Sequence, residues 1–300
     1  MIPEKVTSSQ IVNQLRMLGV NQGDVLLVTA DLARVGLSHK NRKTLIGEWY
    51  RIFDDLLGPE GTIVIVSFTR SFFRFAKNNN ICFTRYQKST SGALSQMYVD
   101  LEGASRSTHP TNSIIAFGKQ AESICKEHTE KSMSFDFVGE LIKLNAKHLM
   151  LGTLDNKNAP AGFHYAQQII GETKSIPGVG LSQSYYINFN GHKKLFTRWD
   201  GGGCSGAGYK LIGHHILHKC VNIGVVGDSL SGLFDVEQSV NVCLNELKTN
   251  RNLLVCDDKM CLTCYGRFST SGFKILLFYP LYIYTKLPGL IKRIKIISRE

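Results

Sequence analysis

Asp24-Val-Leu-Leu-Val-Thr-Ala30 is a short run of apolar residues with no polar alternation. A strand that shows one face to water alternates; one covered on both faces does not. Thr62-Ile-Val-Ile-Val-Ser-Phe68 and Lys147-His-Leu-Met-Leu-Gly152 repeat the pattern. Between the strands lie stretches of helical period. Ile11, Leu15 and Leu18 predict a helix over 8–18, capped by Ser8 or Ser9 and stopped by Gly19. A second helix is expected over 43–57, followed by a turn at Gly58-Pro-Glu-Gly61. Helices alternating with continuous apolar strands predict an α/β fold.

Further along, helices are expected over 92–100, 119–128, 134–144, 163–171, 207–220 and 236–247, with a strand over 113–117. Residues 183–199 alternate and contain Asn190-Gly191, which predicts antiparallel strands joined by a tight turn. The polar and aromatic segment 70–90 has no clear period and is expected to form a loop over the site. No Gly/Ser-rich or Pro-rich linker divides the chain, so the expectation is one main domain, residues 1–272, with a C-terminal appendix, residues 273–300. No internal repeat is present.

The 300 residues, 43% hydrophobic and 20% charged, are enough for a sizeable core. The N-terminal segment has no basic stretch followed by an apolar one, so a cytoplasmic protein is expected, its eight cysteines being thiols. Cys256, Cys261 and Cys264 cluster as C-x4-C-x2-C; they either hold zinc with a fourth ligand or pack locally. The net charge of +11 suggests an anionic partner. Much of it lies in the tail, where Lys274, Lys286, Lys292, Arg293, Lys295 and Arg299 mix with apolar and aromatic residues. That mixture suits peripheral contact with an anionic inner membrane, or packing against the body or another subunit. No nucleic-acid-binding motif appears, and neither G-x-x-x-x-G-K-[ST] nor G-x-G-x-x-G is present. Gly201-Gly-Gly203 before Cys204 either offers N–H groups to an anion or is a turn.

Three segments, in this order, resemble the aminoglycoside 3-N-acetyltransferase family over residues 8–220. They are Gly19 to Gly36 with Leu57-Gly-Pro-Glu-Gly-Thr62; Arg106-Ser-Thr-His-Pro110 with Ser113 and Ala116-Phe-Gly118; and Leu149-Met-Leu-Gly152 through His164-Tyr-Ala-Gln167. The resemblance implies a three-layer α/β/α sandwich around a mostly parallel sheet. It also implies acetyl-coenzyme A as co-substrate and direct transfer to an amine, with no metal required. A small-molecule amino-sugar acceptor is expected; a homo-oligomer is left open.

An amine attacks a thioester only when neutral, so a base must take its proton, and histidine suits that task. The family's histidine at the start of the helix after the third strand corresponds to His164. The resemblance places Thr29, Arg106, Ser107, Thr108, His109 and Ser113 on coenzyme A. Antibiotic-modifying members usually carry H-x-x-E where this chain has Gln167, which can orient His164 but cannot offset an imidazolium charge. Asp200 is the surviving carboxylate of the third region, expected to orient His164 or the acceptor amine if it is not simply a turn residue. Fewer carboxylates argue for one amine with a negative handle, such as a nucleotide-linked sugar of surface-polysaccharide synthesis, over a polycationic antibiotic.

Overall fold

The run quoted first is the centre of the main sheet. A computed structural model describes residues 5–76, 80–155, 158–174, 179–261, 263–264 and 278–285. In chain order the elements are α1 (Ser8–Leu18), β1 (Val25–Ala30), α2 (Leu32–Val35), α3 (Arg42–Leu57), β2 (Thr62–Val66), β3 (Phe72–Phe73), β4 (Cys82–Phe83), α4 (Ala93–Val99), β5 (Ser105–Arg106) and β6 (Ile114–Gly118). There follow α5 (Ala121–Lys126), α6 (Phe137–Lys143), β7 (Lys147–Leu151), α7 (Ala161–Ile169), β8 (Ser182–Ile187), β9 (Lys193–Thr197), α8 (Ser205–Tyr209), α9 (Ile212–Leu217), β10 (Val221–Val226), β11 (Ser229–Asp235) and α10 (Val236–Thr249).

The seven-stranded sheet has the order β10-β11-β7-β1-β2-β6-β5. β1 pairs in parallel with β2 (Val25↔Thr62) and with β7 (Leu26↔Lys147). β6 and β11 run the other way on either flank, so five of the seven strands share one direction. Period two sorts the side chains between the layers. Leu26, Val28, Ile63 and Ile65 pack with Ile11 and Leu15 of α1 and Trp49, Ile52 and Phe53 of α3. Val25, Leu27 and Val64 face the other way, onto Phe137, Val138 and Leu141 of α6 and Val240 of α10. Each such buried side chain stabilises by about 1.5–3 kcal/mol, and both faces need one. The sequence therefore shows no alternation.

Several expectations change. The cap of α1 is Thr7, ahead of both Ser8 and Ser9; its Oγ1 accepts from the Gln10 N–H at 3.2 Å. The 70–90 segment is not simply a loop. Phe72–Phe73 and Cys82–Phe83 both pair with β8, which also carries β9, making a small second sheet. Two-residue strands are shorter than any period, so no pattern announces them. The helix expected over 207–220 is two short ones, broken around Lys210 and Leu211; Gly206, Gly208 and Gly213 weaken helix propensity there. The β10–β11 hairpin at the sheet edge was not anticipated. Val226 pairs with Ser229 across Gly227-Asp228, and Gly227 takes φ +57°, the left-handed conformation such tight turns use.

Residues 278–285 are helical, with Leu281, Ile283 and Tyr284 exposed. The remainder of the proposed tail, 273–277 and 286–300, and the boundary at 272 lie outside the described residues. Among the described residues no helix is long and apolar enough to cross a membrane.

Candidate active site

A cavity of about 750 Å³ opens at the C-terminal ends of the central strands. Open α/β sheets place ligands there because the strands end and the loops diverge, and the volume falls in the range of small-molecule sites. Thr29, Ala30 and Asp31 line it from the end of β1, Val66 from β2 and Thr153 from beyond β7. His164 and Arg198 also line it, with Gly202 and Gly203.

Thr29 reaches the cavity with a fixed hydroxyl. His148, the second residue of β7 and buried, accepts the Ala161 N–H at Nδ1, 3.2 Å away. Its proton is therefore on Nε2, which donates to Thr29 Oγ1 at 3.0 Å. The threonine hydroxyl, having accepted, has its own proton to give. Burial, and then His215, push His148 down to about 3, so the ring stays neutral and this polarity holds. The sequence reading missed His148; its one signal was a polar ring within an apolar strand.

His164 stands in the first half of α7. Gln167, one turn on, places Oε1 3.0 Å from His164 Nδ1, and the same oxygen accepts the Gly203 N–H at 3.1 Å. A backbone N–H can only donate, which identifies the atom facing it as oxygen. Nδ1 must then carry the proton shared with Gln167, and Nε2 carries the lone pair. Among the described residues Nε2 has no hydrogen-bond partner. Burial lowers the His164 pKa and the Gln167 bond raises it; the net direction is down, which keeps the ring neutral. Phe135 tilts against the imidazole at 5.0 Å between centroids. The glycine turn is thus tied to α7, its Gly203 N–H being spent on Gln167. A Cβ on Gly203 would meet Gln167 Nε2 at 2.3 Å, so only glycine lets the backbone approach the amide.

Asp200 is placed differently from expectation. It is fully buried, and its carboxylate accepts the Ser134 N–H at 2.7 Å and the Ser134 hydroxyl at 2.9 Å. Among the described residues it makes no hydrogen bond to His164, and it is not among the residues that line the cavity. Its effect is indirect: it anchors the loop that presents Phe135 to His164, helped by Gln168, which accepts the Phe135 N–H at 3.0 Å.

The second segment is also corrected. The Arg106 guanidinium donates to Ser113 Oγ (3.1 Å) and to the carbonyls of Arg85 (2.8 Å), Gln87 (2.5 Å) and Ser67 (3.1 Å). A buried guanidinium committed to four protein acceptors is not offered to a phosphate. Ser113 also donates to Ser67 O, and Ser107 Oγ sits 3.1 Å from His128 Nδ1 while accepting the Ile114 N–H. His109 is fully buried, stacked on His128 at 4.9 Å. Thr108 is exposed, away from the cavity. Of the six residues expected on coenzyme A, only Thr29 lines the cavity; from the second segment it is Thr111 and Asn112 that do so. Type and spacing marked the segment, but Thr111 and Asn112 lie in the turn between β5 and β6, and which residues of that turn face the cavity is set by how the turn folds.

Comparison with known proteins agrees with this architecture. A family model described as aminoglycoside 3-N-acetyltransferase matches residues 27–248. Aminoglycoside N(3)-acetyltransferase III of Salmonella sp is 29% identical over 183 residues, 54% of this chain and 60% of that protein. The protein of the same name from Acinetobacter baumannii is 27% identical over 179 residues, with the same coverage. The match thus spans about three fifths of the length of these relatives. Among solved structures, the apoenzyme of aminoglycoside acetyltransferase AAC(3)-IVa superposes with a TM-score of 0.67 at 18% identity, covering 87% of this chain and 95% of that one. AAC-IIIb in a binary complex with CoASH gives 0.67 at 18% identity, covering 81% and 97%. Sisomicin-bound AAC-VIa gives 0.66 at 20%, covering 82% and 99%. At these identities the likeness establishes a shared fold.

Proposed function

Because the chain belongs to the aminoglycoside 3-N-acetyltransferase family, we propose that it transfers an acetyl group from acetyl-coenzyme A to the amine of an amino sugar. The observation that carries this reading is the tautomer of His164, a residue that lines the cavity: its Nδ1 proton is held by Gln167, which leaves the Nε2 lone pair uncommitted among the described residues. Acetyl-coenzyme A supplies the thioester. The neutral acceptor nitrogen adds to the thioester carbonyl, and Nε2 takes a proton from that nitrogen. When the tetrahedral adduct collapses, the C–S bond breaks and the imidazolium returns its proton to the departing thiolate. The Thr29 hydroxyl, polarised by His148, is a donor lining the same cavity, available to the oxygen on which charge develops.

The lining also bears on the acceptor. Among the described lining residues Asp31 and Arg198 are the charged side chains, one of each sign. Several ammonium groups would find one carboxylate and one guanidinium, whereas an acceptor with a single amine and an anionic group matches both. That supports a nucleotide-linked or otherwise anionic amino sugar. The relatives' names favour a second reading, an aminoglycoside antibiotic as acceptor. A thiol-release assay with acetyl-coenzyme A decides between them. The first reading expects turnover with nucleotide-linked amino sugars and at least tenfold lower kcat/KM with gentamicin or kanamycin. The reverse order would establish the second; release with neither class would overturn both.

A further inference from the structure

Outside the cavity, four sulfur atoms from two distant stretches of chain converge. Cys204 is the N-cap of α8, directly after the glycine turn, while Cys256, Cys261 and Cys264 follow α10 and the 3-10 turn Arg251–Leu254. Their Sγ atoms all lie within 4.8 Å of one another, and those of Cys204 and Cys261 are 3.7 Å apart. Sulfurs at the corners of a tetrahedron with Zn–S bonds of ~2.3 Å stand ~3.8 Å from each other. A disulfide would require ~2.05 Å, and among the described residues no disulfide is formed.

Packing alone accounts poorly for this convergence. Cys243 shares the same apolar cluster, with Phe163, Leu211 and Leu247, yet it stands outside the four-sulfur group. One of the sulfurs also receives a backbone donor. The Cys256 backbone N–H donates to Cys264 Sγ at 3.2 Å, the kind of outer contact that steadies a metal-bound thiolate. Cys256 and Cys264 are buried while Cys204 and Cys261 are half-buried, which leaves an entry side. Lys210, just after α8, pairs with Asp257 at 2.6 Å and ties the same two stretches together.

We propose that Cys204, Cys256, Cys261 and Cys264 bind one zinc ion as a closed tetrathiolate site. With all four positions filled by protein, the ion takes no part in the chemistry of the cavity; it is structural. It clamps the stretch after α10 onto the end of the glycine turn. Gly203, which fixes the Gln167 amide against His164, immediately precedes the ligand Cys204. The C-x4-C-x2-C spacing supplied three ligands in sequence; the fourth was hidden because it lies 52 positions earlier.

The test uses the full chain, purified under reducing conditions without added metal. Elemental analysis by mass spectrometry should find about one zinc per chain. Cys204→Ser and Cys264→Ser should each lose it, and Cys82→Ser, remote from the cluster, should keep it. Cobalt(II) exchanged into the wild type should give the sulfur-to-metal charge-transfer bands of a tetrahedral tetrathiolate. If the serine variants do not fold, a mercurial titration of the wild type stands in for them, one zinc being released as four thiols are modified. Protein that is folded, metal-free and fully reactive at these thiols would overturn the proposal. So would iron in place of zinc, a mass deficit showing a disulfide among the four, or zinc retained in folded Cys204→Ser protein.

Discussion

His164 and His109 are both part of segments that resemble family motifs, both are held at Nδ1, and the two rings are opposites. Gln167 Oε1 accepts the Nδ1 proton of His164, so the free lone pair is on Nε2 of a ring that lines the cavity. At His109 the direction is reversed. Nδ1 accepts the N–H groups of Thr111 (3.3 Å) and Asn112 (2.9 Å), so the proton is on Nε2, which is buried and, among the described residues, unpartnered. One ring keeps its lone pair uncommitted among the described residues; the other has its lone pair spent on its own loop. Residue type and motif do not separate them. The polarity of the group that meets Nδ1 does.

The strongest way to break this contrast is to delete each ring. His164→Ala should lower kcat by roughly 10²–10⁴-fold, the usual worth of a positioned base, with little loss of stability. His109→Ala should do the reverse: a destabilisation of about 2–4 kcal/mol, as for other large buried side chains, and kcat in the folded fraction within a few-fold of wild type. Steady-state kinetics beside chemical denaturation would read both. Equal loss of kcat in the two variants would abolish the distinction.

Acid offers a second, smaller probe. Burial holds His109 well below its ordinary value and His128 and His148 at about 4 and about 3. In the unfolded chain each binds a proton near the ordinary histidine value of about 6.5. Between those limits the unfolded state holds more protons, so stability is full above about pH 6.5 and is lost as pH falls, by up to about 1.4 kcal/mol per pH unit for each ring. Denaturation midpoints measured at pH 7.5, 6.5 and 5.5 should fall most steeply over the last step. In His109→Ala the slope should be shallower by one proton; an unchanged slope would mean that His109 is not held neutral.

How much of this was legible before the structure depended on range. The three central strands and α1 came directly from local apolar period, because burial on both faces leaves its mark residue by residue. That Gln167 can meet His164 was legible locally, the two being one helical turn apart. What escaped was decided by partners far along the chain. Asp200 reads as a possible orienting group until Ser134 claims both its oxygens. Arg106 reads as a phosphate ligand until carbonyls from residues 67, 85 and 87 surround it. Thr29 gains its directed hydroxyl from a histidine 119 positions away. No window over the sequence contains these pairs.

The smallest expected effect bears most closely on the polarity at Nδ1. In Gln167→Glu the carboxylate can keep both bonds of Oε1, to His164 Nδ1 and to the Gly203 N–H, so the tautomer should be preserved. What changes is charge. A carboxylate beside the ring stabilises the imidazolium, which the amide does much less, so the folded pKa of His164 should rise from its burial-lowered value. The acidic limb of the kcat/KM profile, where loss of the neutral base limits the rate, should then move to higher pH. A one-unit displacement corresponds to about 1.4 kcal/mol. Above that limb the more basic ring should raise the plateau, most clearly for acceptors carrying extra positive charge. There is an opposing cost. Gln167 Nε2 is buried and, among the described residues, without a partner, so the second carboxylate oxygen would enter the same unsatisfied place. Stability should therefore not improve, and a loss of about 1–3 kcal/mol is expected from burying that oxygen. A pH profile that does not move while stability falls would show that Gln167 only packs against His164. A limb that moves up while the fold holds would show that the amide sets the strength of the base.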